Sequence, residues 1–464
     1  MILVVPLFLL VALFAWFLAN APMVRGSREG MNDTLFAWTA GDNSPLPAWP
    51  DRGKQMTTVA IDDLTWDGRW RTATIGTPPS RLAELIDAVS RNNPAYIVVD
   101  IDLSYVNEDP AGQEEGRKRL RQALAQPGPP ILLVRPERGK PRAGEFRETF
   151  VDDIVDGPTG VGRLYWFSPG FRIDEDGTTR WMAGATIGHR RGARDQPRVT
   201  LAAGLIIRLR ENGPAGRRLV DMLSRSNVGF AGSGACPLAA SLGADIRQLE
   251  NTSAGRGTRA WLCAAARDPD RTSRVAFPYE NIWRPEACDR KCDDRKTCPP
   301  PEQIERCRAS TTIARGELIN VSAATVLMSP ERRPELVGKT VLIGRTDSGT
   351  GDLWRTAIAP DLPGVGLLAE SIYTVRTLDG PLREDWFTKG LTIILALPLL
   401  LIQALLGPNK LRWLGLLVLG GIGVFAAMCF LLRFGIWLDL SLPFFIVAVT
   451  SGLAELIFPH LWKE

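Results

Sequence analysis

Four long apolar stretches constrain this chain of 464 residues more than any other feature. One lies near the start and three lie near the end, at residues 2–21, 390–406, 411–432 and 436–458. A helix of about 20 consecutive apolar residues is long enough to cross the hydrocarbon core of a bilayer. The pattern therefore predicts one membrane span before a large domain and three spans after it, a four-helix membrane region.

Charges near the predicted spans indicate on which side of the membrane the large domain lies. Lys410 and Arg412 lie between the second and third spans, and Lys463 follows the fourth. Short cytoplasmic loops carry an excess of Lys and Arg, so these residues place the loop and the tail in the cytoplasm. Arg25 and Arg28 favour the opposite orientation, but long domains translocate largely regardless of flanking charge. The first stretch lacks a basic region before it, which favours an uncleaved anchor over a signal peptide.

The exported region alternates strands and helices. Strands are indicated at residues 56–61, 95–99 and 130–134, with helices over residues 80–89 and 114–125 between them. This alternation predicts a mainly parallel sheet with right-handed crossovers, in an extracytoplasmic three-layer α/β domain. Paired strands around residues 174–177 predict a hairpin, residues 200–210 a helix, residues 316–327 a strand and helix, and residues 339–343 a strand that completes the sheet.

These patterns divide the chain into four segments. They are a first transmembrane helix (1–22), an entry linker (23–55), the extracytoplasmic domain (56–385), and three transmembrane helices with a short cytoplasmic tail (386–464). Within the domain, residues 211–310 are rich in Gly, Ser, Arg and Pro, and we interpret them as an irregular, cysteine-rich insertion.

Six of the seven cysteines lie in that insertion and are disulfide candidates: Cys236, Cys263, Cys288, Cys292, Cys298 and Cys307. An even number in an exported domain indicates up to three disulfides, with many possible connectivities. A zinc site formed by the last four cysteines is the competing interpretation. Their spacing lacks two CxxC pairs and no histidine lies near, so we predict no metal.

Charged side chains follow several predicted strands and form the candidate ligand site: Asp62, Asp63, Asp100, Asp102, Arg345, Asp347 and Asp352. Parallel sheets bind ligands beyond the carboxyl ends of their strands, so these groups are expected to converge on one edge. In one interpretation they line a polar pocket, with or without a cation. In the other they cap helices and turns, where Asp is favoured.

Several function classes find little support in the sequence. The net charge is +4, and Lys and Arg alternate with acids, so no nucleic acid is expected as a partner. The glycine-rich loop at residues 344–352 lacks the GK[ST] ending of a phosphate-binding loop, and no cofactor is predicted. Only His189 and His460 are present, which disfavours a Ser-His-Asp site. Residues 98–104, VVDIDLS, imitate the strand end of aspartate-nucleophile phosphohydrolases, so a metal-dependent phosphohydrolase stays a remote alternative to the prediction of no enzyme.

An ordered set of motifs resembles the type-two CHASE domain, the extracellular sensory domain of bacterial cyclases and histidine kinases. The motifs are VAIDD (59–63), PAYIVVDIDLSY (94–105), GFRIDEDGTTRWM (170–182), GKTVLIG (338–344), GDLWRTAIAP (351–360) and PGVGLLAESI (363–372). The layout, with one span before the domain and three after it, is similar too. The family commonly carries a cytoplasmic output domain, which is expected to be absent here, and the cysteine-rich region departs from its usual pattern.

The resemblance implies a multi-pass sensor of the bacterial inner membrane whose large domain lies in the periplasm. We expect it to relay a signal through its transmembrane helices to a separate effector or membrane-complex protein, and self-association is a further option. The alternative is a scaffold or anchoring subunit of an envelope complex. Residues 338–378, a strand, a glycine-rich loop and a helix followed by the second span, are the expected mechanical link.

Overall fold

The computed structural model describes residues 56–70, 76–104, 113–137, 145–174, 176–189, 198–225, 242–268, 272–275, 318–328, 332–347, 351–356, 359 and 361–382. The four apolar stretches, the entry linker and all candidate cysteines except Cys263 lie outside these ranges. No helix within the described residues is long and apolar enough to cross a membrane. The chain divides into two compact units. The first is Pro50–Pro381, to which the described residues up to 381 belong, and the second combines Met1–Trp49 with Leu382–Glu464.

The described strands and helices are these. The strands are β1 (Met56–Ile61), β2 (Tyr96–Asp100), β3 (Ile131–Val134), β4 (Leu164–Phe167), β5 (Phe171–Ile173), β6 (Thr179–Met182), β7 (Ala185–Gly188), β8 (Arg198–Leu201), β9 (Ser273–Arg274), β10 (Ile319–Ser322), β11 (Thr340–Arg345), β12 (Leu353–Trp354) and β13 (Leu362–Pro363). The α-helices are α1 (Pro79–Ser90), α2 (Gln113–Ala125), α3 (Asp152–Val155), α4 (Ala203–Glu211), α5 (Gly213–Arg225), α6 (Gly243–Glu250), α7 (Ser253–Arg267), α8 (Ala323–Met328) and α9 (Gly364–Thr377). A π-helical turn spans Leu64–Trp70 and a 3-10 turn spans Pro158–Gly160.

A six-stranded parallel sheet forms the centre, in the order β10-β1-β11-β2-β3-β4. Its strands are short runs of mostly apolar, often β-branched residues, which suits strands covered on both faces. The α/β fold and the mainly parallel sheet are therefore confirmed. The sequence predicted that β11 completes the sheet, and the structure adds that it lies between β1 and β2 near the middle.

Helices cover both faces of this sheet. One face forms a core in which alternate strand residues such as Val59, Val99 and Ile343 pack on apolar residues of α1, α2, α3 and α8. The intervening residues, for example Val98 and Leu342, are buried too but point away from that core. They lie on the face that α9 covers, with α4 packed on α9 and α5 on α4. Two helical layers thus enclose the sheet.

Smaller antiparallel pairs extend the domain. The predicted hairpin is present as β5 and β6, whose turn contains Gly177 at a φ of +81°. A positive φ is readily adopted only by glycine, which explains this residue in the turn. The strand β7 pairs with β8, β9 adds to β6, and β12 pairs with β13.

Three details differ from the sequence predictions. The helix α1 begins at Pro79, one residue before the predicted start, and no side chain caps it. Residues 200 and 201 of the predicted helix belong to β8, because they pair with β7. The region expected to be irregular contains α5, α6 and α7; its glycines and arginines masked an apolar face that includes Leu219, Val220 and Leu223.

Candidate functional site

The carboxyl ends of β1, β11 and β2 lie side by side, since Ile61 pairs with Arg345 and Gly344 pairs with Asp100. The charged residues that follow these strands start from neighbouring positions, as expected for a parallel sheet. We call the predicted set of Asp62, Asp63, Asp100, Asp102, Arg345, Asp347 and Asp352 the carboxyl rim. Its members differ in what they contact.

Asp62 serves as a capping residue. Its Oδ1 accepts hydrogen bonds from the Thr65 backbone N (2.9 Å), from Thr65 Oγ1 (2.7 Å) and from Ser322 Oγ (3.0 Å). The backbone N of Ala324, in the first turn of α8, donates to Thr65 Oγ1 at 2.9 Å. The Asp62 carboxylate thus organises the π-helical turn and the start of α8 together. Asp63, the next residue, is exposed.

Arg345 and Asp347 form a bidentate ion pair. The Arg345 Nε and Nη2 donate to the two carboxylate oxygens of Asp347 at 2.7 and 2.6 Å, and Asp347 is 3% exposed. The guanidinium carbon also lies 4.2 Å from the ring centroid of Trp66. A bidentate pair stacked on an aromatic ring is geometrically specific and holds both charges in place.

Asp102 contacts residues that are not members of the rim. Its carboxylate accepts from the Ser104 backbone N at 2.8 Å and from Arg147 Nη1 at 3.4 Å. Asp102 and Arg147 are each about half exposed, at 48% of their side-chain surface. Within the described ranges, no group of three or more His, Cys, Asp or Glu side chains is arranged to hold a metal ion.

Asp100 and Asp352 form a pair of like charges. Burial, and to a smaller extent the negative charge of Asp352, raise the pKa of Asp100 to about 7. Burial also raises the pKa of Asp352, whereas the hydrogen bond from Trp354 Nε1 (2.7 Å) opposes that rise. Asp352 keeps an exposed flank, so we place the stronger effect of burial on Asp100.

This carboxyl pair lies at the N-terminal end of α9. The backbone N of Gly364 donates to the Asp352 carbonyl at 2.9 Å, and a methyl group at position 364 would overlap the Asp352 carboxyl group. A methyl group at Gly344, the partner of Asp100 in the sheet, would lie 2.5 Å from Val365 Cβ. Glycine is required at both positions because strand, loop and helix approach so closely. The positive end of the helix dipole therefore faces the pair.

The C-terminal end of α9 is held by a cluster that we call the exit clamp, formed by Arg208, Thr258 and Trp261. Arg208 donates to Thr258 Oγ1 at 3.1 Å and to the carbonyls of Val375 and Leu378. Trp261 Nε1 donates to the same Leu378 carbonyl at 3.0 Å. These bonds satisfy carbonyls that a helix end leaves without intrahelical partners. The described chain then ends at Leu382.

Sequence reasoning did not find the exit clamp. Its arginine, Arg208, follows the run AGLII of α4 and precedes Leu209, and a charged residue flanked by apolar residues on both sides is a usable signal. The third member, Trp261, lies on α7 within the supposed insertion. Cys263, on the same helix, is the one candidate cysteine within the described residues, and the disulfide pattern stays a prediction.

A cavity lies apart from the rim, between Arg135, Phe146, Trp166, Arg198 and Ser224. Its volume is about 10 Å³, which suits a single water molecule rather than a larger ligand. The carboxyl rim is therefore the better candidate for a functional site.

Comparison with known proteins now adds to this geometry. No curated protein matches the chain, and no solved structure matches it either. The model of one family, the CHASE2 domain, matches residues 7–405, which is most of the chain. That family comprises extracellular sensory domains rather than catalytic ones. The chain belongs to the CHASE2 domain family.

Proposed function

We propose that this protein is a sensor subunit of the bacterial inner membrane that detects a signal at the carboxyl rim and transmits it through α9. One observation carries the proposal. The helix has the Asp100–Asp352 pair at its N-terminal end and the exit clamp at its C-terminal end, so one rigid element connects the candidate site to residues 378–382.

The helix α9 is suited to move as a unit. Its residues from Gly364 to Val375 are all buried, and it packs on β11 through the close contact of Val365 with Gly344. Packed elements respond to displacement by shifting as bodies rather than by deforming. A ligand shifts α9 only if it binds one position of the helix better than another.

The proposal extends to the segments outside the described residues. Four predicted spans would anchor the chain with its large domain in the periplasm, and disulfides would stabilise the cysteine-rich region. The signal would pass through the spans to a separate effector or membrane-complex protein. The domain itself would be non-catalytic, and a full-length chain that hydrolysed phosphate esters with divalent metal in an Asp100-dependent manner would contradict this.

A scaffold subunit of an envelope complex is the second candidate. Most rim residues hold local structure, as Asp62 and Asp347 do, and an apolar surface lies nearby. Ile173 is 58% exposed and Leu353 is 49% exposed, beside the contact of Phe171 with Trp354 at a centroid distance of 5.6 Å. Exposed apolar side chains of this size are typical of protein contacts when they are grouped.

Substitution of Gly344 tests the relay. In Gly344→Ala, the added methyl group overlaps Val365 and displaces α9, whereas Gly351→Ala places its methyl group in open space. We expect affinity purification of the full-length chain from membranes to recover its partner in altered yield, by several-fold, for Gly344→Ala only. Gly204→Ala, which presses on Ile372 and Val375 of α9 from α4, serves as a second displacement if the first variant fails to accumulate.

A partner recovered in constant stoichiometry from the wild type and from both displaced variants would contradict the relay and support the scaffold.

A further inference from the structure

We propose that the Asp100–Asp352 carboxyl pair is a proton-responsive switch that loosens the N-terminal end of α9 when both groups are ionised. The inference names a regulation of the carboxyl rim and rests on the proposed function only for its downstream effect. The stimulus is the proton itself, and the responding element is the start of one helix.

The geometry ties each carboxyl group to a different element. Asp100 ends β2, a strand enclosed between β11 and β3 in the sheet. Asp352 precedes β12, and its backbone carbonyl and side chain both lie against Gly364, the first residue of α9. Val365 follows directly and packs on Gly344, the sheet partner of Asp100. Repulsion between the two carboxylates therefore acts between the sheet and the start of the helix.

Other charged groups lie on the elements around the pair. They are Asp62 and Asp63 after β1, Arg345 and Asp347 on and after β11, Asp102 after β2, Arg135 after β3, Arg355 after β12, Asp361 before β13, and Glu370 and Arg376 on α9. Three of these four cations are engaged with other carboxylates: Arg345 holds Asp347, Arg135 donates to Asp152 at 2.7 Å, and Arg376 donates to Glu211 at 2.7 Å. The acids outnumber the cations around the rim, which favours proton uptake there.

The charge of the pair changes within the neutral range. With the pKa of Asp100 raised to about 7 by burial and by Asp352, acidification adds one proton to a carboxylate oxygen and removes the repulsion. Burial raises the pKa of Asp352, and the helix dipole at the start of α9 opposes that rise. Below this range we expect a close pair and a firmly packed start of α9. Above it, two negative charges separate β2 from the segment that carries Asp352.

Hydrogen exchange of the purified full-length chain tests the switch. Protection factors, corrected for the intrinsic effect of pH on exchange, are measured for peptides that cover residues 361–382 between pH 5 and 9. We expect the first half of α9 to lose protection by about tenfold or more as pH rises through about 7, since one pKa unit of interaction corresponds to tenfold. The half next to the exit clamp should change little.

Variants separate the switch from general effects of pH. Asp100→Asn should hold the start of α9 protected across the whole range, and Asp352→Asn should lower the midpoint because burial alone then acts on Asp100. Asp153→Asn, which removes an exposed carboxylate paired with Arg121 on α2, should retain the wild-type transition. A wild-type chain without a transition, or an unchanged transition in Asp100→Asn, would overturn the proposal.

The readout needs no partner, so the two proposals fail separately. A clear transition in exchange together with constant partner recovery in the Gly344→Ala test contradicts the relay and leaves the switch intact. A response to Gly344→Ala without any transition contradicts the switch and leaves the relay.

Discussion

The two ends of α9 are held in different ways. At the N-terminal end, the backbone N of Gly364 bonds to Asp352, whose carboxyl group lies near Asp100 and retains an exposed flank. At the C-terminal end, Trp261 and Thr258 are both 0% exposed and Arg208 is 6% exposed. The contacts at the first end depend on the charge of two carboxyl groups. The contacts at the second end come from groups that do not titrate near neutral pH.

Because of this difference, α9 is adjustable at its N-terminal end and fixed at its C-terminal end. Buried hydrogen bonds to carbonyls are costly to break because the carbonyl loses its partner and has no water to replace it. Two like charges in a partly buried place have the opposite effect, since each makes ionisation of the other less favourable. A displacement that begins at the rim is therefore expected to pivot about the exit clamp.

The largest effect is expected from breaking the clamp. Trp261→Ala removes a fully buried indole and its bond to Leu378, so we expect it to lower the free energy of unfolding by roughly 3–5 kcal/mol. Trp354→Ala, at the opposite end, removes a half-buried indole and should cost about 1–2 kcal/mol. Denaturant unfolding of the full-length chain in detergent measures both. Equal losses would mean that the two ends do not differ in the way described.

The next effect is expected from pH. The folded pKa of Asp100, about 7, lies above the ordinary value of 3.8, so its contribution to stability is fully present below pH 4 and is lost as pH rises to 7. The slope from this group is at most about 1.4 kcal/mol per pH unit. Asp100→Asn should therefore be more stable than the wild type at pH 8 and similar to it at pH 4, by the same unfolding measurement. If the wild type were as stable as Asp100→Asn at pH 8, the raised pKa of Asp100 would be contradicted.

The smallest effect is expected for an ion pair beside the exit clamp. Arg376 Nη2 lies 2.7 Å from Glu211 Oε1, and the Glu211 side chain is 40% exposed. Exposed ion pairs contribute about 0–1 kcal/mol, so Glu211→Gln should lower stability by less than about 1 kcal/mol and by less at high salt. A loss above about 2 kcal/mol would show that the clamp depends on this pair as well as on its buried members.

The spacing of apolar residues was sufficient to predict strands and helices that are formed by residues close together in the chain. The strand at residues 56–61 was predicted with its observed bounds, and the helix after β2 was predicted within one residue of its start. Buried strands and amphipathic helices carry their pattern in neighbouring residues, which is why it can be read without tertiary contacts. The expectation that charged residues follow β1, β2 and β11 has the same origin.

The α/β class, the mainly parallel sheet and the family to which the chain belongs follow from the amino-acid sequence alone. The tertiary contacts were needed to show which rim residues hold local structure and which two form a pair, because Asp62 meets Ser322 and Asp100 is influenced by Asp352 across about 250 residues of chain. They were also needed to show the exit clamp, where α4, α7 and α9 meet. Such contacts join residues that are distant in the chain, so local sequence patterns do not predict them.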